Sequence, residues 1–88
     1  MHRPVEIYTR LHCPYCQRAK DLLRIKGVSF AEYVIDEDTR RGDEMLVRGG
    51  RDTVPGIFVA DRCIGGCTEL FDLDESGELD RLLNFAPG

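Results

Sequence analysis

Eighty-eight residues suffice for one hydrophobic core and are too few for two, so the chain reads as a single domain spanning residues 1–88. A chain of this length buries only about 60–65% of its unfolded surface, which excludes a deep cavity and places any ligand in a surface groove. A formal net charge of −4, with 32% charged and 42% hydrophobic residues, is an ordinary globular balance that excludes disorder and disfavours nucleic acid as the main partner.

The N-terminal M-H-R-P-V-E-I-Y has no apolar core of signal-peptide length, and no stretch approaches the roughly 18 residues needed to span a bilayer. The expectation is a cytoplasmic protein with no membrane partner, and a monomer by default. In a reducing compartment its four cysteines point to catalysis or metal binding rather than to permanent crosslinks.

Val5, Ile7 and Thr9 alternate with Glu6 and Tyr8, the period of a strand, and this strand runs directly into C-P-Y-C at residues 13–16. From Pro14 onward Cys16, Ala19, Leu22 and Leu23 recur at helical spacing, with Gly27 placed as the C-terminal cap. Pro14 then occupies the first helical position and Cys13 the N-cap. Residues 30–35 read as a second strand, parallel to the first through a right-handed crossover. Asp38 or Thr39 is expected to cap a second helix that carries Met45 and stops at Gly49-Gly50. Residues 57–60 and 62–64 predict two further strands joined through Asp61, and residues 67–72 and 78–83 predict helical segments around Ser76-Gly77. The sum is an α/β fold: a four-stranded mixed sheet, βαβ then ββα, with helices on both faces. Phe30, Tyr33, Phe58 and Phe71 read as core or near-core, Tyr8 as strand, and the few residues after Phe85 as loosely ordered.

Two cysteines separated by two residues suit a redox switch, half of a metal site or a structural crosslink. Structural zinc commonly uses two C-x2-C pairs about 15–20 residues apart. Here the second pair, Cys63 and Cys67, has three residues between its members and lies far downstream, while His2 and His12 complete no such spacing, so no metal site is expected. A thiol at a helix N-terminus faces free N–H groups and the positive end of the macrodipole, which favour thiolate, and Arg10 upstream adds positive charge. Cys13 is therefore expected to be the ionised nucleophile and Cys16, one turn in, the shielded partner. For a thiol, a pKa lowered by about 3 units raises the thiolate fraction near neutrality some 30-fold and loses about 20-fold in nucleophilicity. The larger benefit is that such a sulfur leaves quickly, which suits turnover rather than a static crosslink.

At this point the chain resembles the glutaredoxins of the short bacterial dithiol type, in the thioredoxin-fold superfamily. The resemblance is carried by Ile7-Tyr8-Thr9 running into Cys13-Pro14-Tyr15-Cys16, by Lys26-Gly27-Val28, by Thr53-Val54-Pro55, and by Cys63-Ile64-Gly65-Gly66-Cys67. It implies a thioredoxin-like fold and a thiol-disulfide oxidoreductase in which Cys13 attacks glutathione mixed disulfides and Cys16 resolves them. It also implies a cis Val54-Pro55 peptide whose Val54 backbone pairs with glutathione, next to Thr53. The helix start at Gly66, Cys67 and Thr68 is implied to hold the γ-glutamyl end, with Glu69 offering charge to its ammonium. For the glycine carboxylate Arg10 is the first choice, then Arg41, then Arg51, and Tyr15 borders the groove. Glutathione is then a co-substrate with no tightly bound cofactor. The implied protein partners are glutathionylated or disulfide-containing, ribonucleotide reductase among the candidates. Cys63 and Cys67 read as small buried residues, with a secondary oxidation site as the alternative.

Two rival functions fit parts of the pattern. A redoxin reduced by thioredoxin reductase and dedicated to ribonucleotide reductase shares the first half but generally lacks the cationic and Gly-Gly features. A glutathione-ligated iron-sulfur cluster carrier typically has Cys-Gly-Phe-Ser, or a serine where Pro14 stands.

Overall fold

A computed structural model describes residues 2–84; the expectation for the residues after Phe85 lies outside them. Strand β1 (Val5–Thr9) leads into helix α1 (Pro14–Ile25), followed by β2 (Ala31–Val34), α2 (Arg40–Gly49), β3 (Gly56–Val59), β4 (Arg62–Gly65), α3 (Cys67–Glu75) and α4 (Glu78–Leu83). The sheet order is β2-β1-β3-β4, with β1 and β2 parallel and the other pairs antiparallel. This is the βαβ-then-ββα arrangement expected from the sequence.

Alternation along β1 builds the two layers. Val5 and Ile7 join Ala19 and Leu23 of α1, Ile57 and Val59 of β3, Leu70 of α3, and Leu79 and Leu83 of α4 in the larger core. Tyr8 faces the other way and, with Ile35, Met45 and Phe58, forms a smaller core beneath α2. The helices thus cover both faces because adjacent strand residues point to opposite sides.

Helix α1 begins where the sequence places it, with Pro14 at the first position and Cys13 at the N-cap in an extended conformation. It stops at Lys26, and Gly27, at φ +75°, takes the left-handed conformation that a Cβ would penalise. Of the two residues expected to cap α2, Asp38 is the one whose side chain does so. Thr39 makes no side-chain cap bond, and the Asp38 carboxylate accepts the Arg40 N–H at 3.1 Å instead. Strand β3 starts one residue early, at Gly56, and Ala60 falls in the hairpin turn, where it and Asp61 both have positive φ.

Phe71 is not core: it remains 41% exposed, because Leu70 takes the inward position on α3 and the next residue is rotated about 100° away. Tyr8 is buried, with its hydroxyl donating to Glu44 and accepting from Arg48 Nη1 at 2.7 Å. Arg48 also makes a bidentate contact to Glu6 at 2.8 and 3.0 Å, reaches Asp61 at 3.1 Å and lies over the Phe58 ring at 4.2 Å. One arginine thereby ties α2 to β1 and to the β3–β4 turn.

Candidate active site

The chain leaves the sheet at the end of β1, turns through Leu11 and His12, and enters α1 at Cys13. His12 adopts φ +58°, and the Leu11 N–H is held by Asp36 Oδ2 at 2.8 Å, so the short loop is pinned to the segment after β2. The loop delivers Cys13 half-buried to the helix end, where the Cys16 N–H points at its sulfur at 3.3 Å. That donor is one of the free N–H groups that every helix N-terminus offers, here directed at sulfur.

Cys16 is different in kind. It is 2% exposed, and burial, together with the neighbouring Cys13 sulfur, pushes its thiol up to about 12 against a backbone hydrogen bond from Arg10 and the charge of Lys20. All four cysteines are free thiols. The distinction between an accessible and a shielded sulfur, expected from position alone, is present in the fold.

Two depressions flank the Cys13 turn. One, of about 210 Å³, is lined by Tyr15, Arg51, Val54, Pro55, Cys67, Thr68 and Glu69. The other, of about 450 Å³, is lined by Arg10, Cys13 and Cys16 together with Lys20 and Glu32. The first gathers most of the residues that the family resemblance singled out. Val54-Pro55 is cis, and among the described residues no hydrogen bond uses the Val54 backbone N–H or C=O. Tyr15 is 59% exposed, with the Arg18 guanidinium 5.7 Å from its ring centre.

At the start of α3 the Gly66 N–H is taken by Glu69 Oε1 at 2.8 Å. Glu69 is thus occupied as a cap and stands 3.6 Å from Arg51, rather than free at the groove. The spacing of three between Gly66 and Glu69 is that of a capping box and was available in the sequence. Thr68 is exposed at the groove, while Cys67 is buried and its thiol is pushed up by burial, with the Arg18 charge opposing. Cys63 lies under the other layer, its sulfur against Gly49 and its side chain packed on the smaller core, so the four sulfurs are not gathered.

The three arginines are separated. Arg10 lines the larger depression beside Cys13 and pairs with Asp36 at 3.3 Å. Arg51 lines the smaller one and braces it: its Nε donates to the Thr53 carbonyl at 3.1 Å and to the Pro55 carbonyl at 3.3 Å, and its guanidinium occupies the space where a Cβ on Gly66 would stand. Thr53 enters the site through that carbonyl. Arg41 lines neither depression; it stacks on Tyr33 at 4.1 Å and pairs with Glu44 at 3.1 Å.

Comparison with known proteins agrees with this geometry. The glutaredoxin family model matches residues 5–64. The chain is 56% identical to Glutaredoxin 3 of Escherichia coli over 79 residues, covering 90% of this chain and 95% of that one. The solution structure of a glutaredoxin from Brucella melitensis superposes with a TM-score of 0.80 at 45% identity, covering 93% of this chain and 89% of that one. A buckwheat glutaredoxin solved in complex with glutathione superposes with a TM-score of 0.85 at 26% identity, covering 93% and 77%. No helix among the described residues is long and apolar enough to cross a membrane.

Proposed function

The chain belongs to the glutaredoxin family, and on that premise we propose that it is a glutathione-dependent thiol-disulfide oxidoreductase. The observation that carries the reading is the pairing of unlike thiols at one helix start: Cys13 accessible, with an N–H aimed at its sulfur, and Cys16 buried behind it.

Cys13 thiolate attacks the glutathione sulfur of a mixed disulfide and expels the protein thiolate. A second glutathione then attacks the Cys13 adduct, returning the enzyme and releasing glutathione disulfide. Protein disulfides follow the other branch, in which Cys13 forms the mixed disulfide and Cys16 displaces the substrate. The free Val54 N–H and C=O pair with the glutathione backbone as one strand pairs with another. The α3 start at Cys67 and Thr68 offers N–H groups to the γ-glutamyl carboxylate. Arg10, beside Cys13, receives the glycine carboxylate, exchanging its contact with Asp36. The buckwheat complex supports glutathione as the ligand of this groove. No tightly bound cofactor is required, and a reducing compartment such as the cytoplasm keeps the thiols free.

The test is turnover of a small glutathione mixed disulfide with glutathione and glutathione reductase. Cys13→Ser is expected to abolish turnover and Cys16→Ser to keep it; an active Cys13→Ser enzyme would overturn the assignment.

A further inference from the structure

The larger depression contains a feature that glutathione recognition does not use. Besides both cysteines it is lined by Lys20 and Glu32. Lys20 lies four residues after Cys16 on α1, hence one turn further along the same face, and helical side chains lean toward the N-terminus, so its stem runs back toward Cys16. A helix-surface lysine ordinarily samples many rotamers. This one is tied: Nζ lies 3.0 Å from Glu32 Oε2, the same oxygen accepts the Thr9 hydroxyl at 2.8 Å, and the Lys20 side chain keeps only 16% of its exposure.

We propose that Lys20 is a positioning residue for the resolving step: its ammonium, anchored by Glu32 across the cleft, stands beside Cys16 and favours the Cys16 thiolate as it attacks the Cys13 mixed disulfide. The inference rests on the dithiol branch of the function proposed above. In that step the Cys16–Cys13 S–S bond forms and the bond from Cys13 to the substrate sulfur breaks. The substrate leaves as a thiolate carrying the electron pair, and the Cys16 proton passes to water in the open cleft. One disulfide replaces another, so no external oxidant or reductant enters.

The electrostatics agree with the geometry. In the free dithiol, burial and then the Cys13 sulfur raise the Cys16 thiol, opposed by the Arg10 N–H and by Lys20. Once Cys13 is in a disulfide its share of that rise disappears, and burial is opposed by Arg10 and Lys20. Glu32 is not the base: although burial pushes its carboxyl up, hydrogen bonds from Lys20 and Thr9 hold it below its usual value. The other charged or titratable groups of this cleft are Arg10 and His12 from the loop, Cys13 at the helix start and Glu32 from β2; Asp36, behind Arg10, pairs with it. Cys67, from α3, is near enough for the Cys13 charge to reach it.

The experiment mixes reduced protein with excess glutathione disulfide, quenches rapidly with acid, and follows by mass spectrometry the conversion of the glutathione adduct to the internal disulfide. Removing a charge that lowers a thiol by about one unit costs tenfold in thiolate and returns about threefold in nucleophilicity, a net slowing of three- to fourfold. Lys20→Met and Lys20→Gln are expected to close about threefold or more slowly than wild type at pH 7. Lys20→Arg is expected to stay within twofold, and the gap is expected to narrow as pH rises toward 12 and Cys16 ionises unaided. Neutral variants that close as fast as wild type, an arginine variant as slow as the methionine one, or a gap that does not change with pH would each overturn the inference. Failure of the underlying dithiol branch reads differently: wild-type protein would then stop at the glutathione adduct and form no internal disulfide.

Discussion

Cys13 and Cys16 share a helical turn and the same chemistry, and differ only in what surrounds the sulfur. Burial holds the Cys16 thiol protonated up to about 12, so a soluble alkylating agent has little thiolate to capture there. With iodoacetamide at pH 8 the expected outcome is rapid labelling of Cys13, with Cys16 and Cys67 modified only on unfolding, as read by fragment-ion mass spectrometry. Equal labelling of Cys13 and Cys16 would contradict the burial. The N-cap position of Cys13 was legible because strand period and helix period meet at that residue. The fate of the arginines was not. Arg10, Arg41 and Arg51 look alike in sequence and are sorted by Asp36, Glu44 and Glu69, carboxylates that only the fold or a helical turn brings to them. Glu69 was readable in part: its spacing from Gly66 announces a cap, and a carboxylate engaged in capping is not free to meet an ammonium.

Among the elements, α2 meets the sheet through a glycine. A Cβ on Gly49 would lie 2.9 Å from the Cys63 sulfur and 3.0 Å from Phe58 Cζ, so the helix end sits against β3 and β4 with no room for a methyl group. Gly49→Ala is expected to destabilise by about 1–3 kcal/mol through overpacking. For a domain of this size that lowers the melting midpoint by roughly 4–8 °C per kcal/mol. Adding Cys63→Ala is expected to recover part of the loss, and a double mutant no more stable than Gly49→Ala would show that the sulfur is not the obstacle. This contact also gives Cys63 a role, as a small side chain beneath a helix. The order and type of the elements were open to sequence reasoning because β1 alternates and α1 repeats at 3.6. The exposure of Phe71 was not, since it depends on the rotation of a helix against a sheet not yet assembled.

For the molecule as a whole, stability is expected to hold a plateau between about pH 5 and pH 9 and to fall on both sides. Glu6, through Arg48, and Glu44, through the Tyr8 hydroxyl, have carboxyls held below their ordinary value of 4.5, and Glu32 joins them despite its burial. Lowered groups contribute stability that is present above that value and lost as pH falls through the lowered ones. On the alkaline side burial raises Cys16 from 9.0 and Tyr8 from 10.0, each to about 12, and the Asp74 contact raises Lys26 above 10.5. Their contributions are complete below those ordinary values and disappear as pH climbs toward the raised ones. Urea midpoints measured from pH 3 to pH 12 check both limbs; the alkaline one is expected to flatten in Cys16→Ser, and a midpoint unchanged between pH 9 and pH 12 would refute the account. The cores on the two faces of the sheet are unequal, and the thiols and the Val54 side of the groove draw on different ones. Cys13 and Cys16 ride on α1 over the larger core, while Val54 packs on the smaller core beneath α2. A transient lift of the α2 layer, the less heavily packed of the two, would therefore loosen the proposed grip on a peptide backbone while leaving Cys13 in place on α1. In the proposed reaction, breathing on one side of the sheet would be a means of letting go of product, with the reacting sulfur left on the other layer.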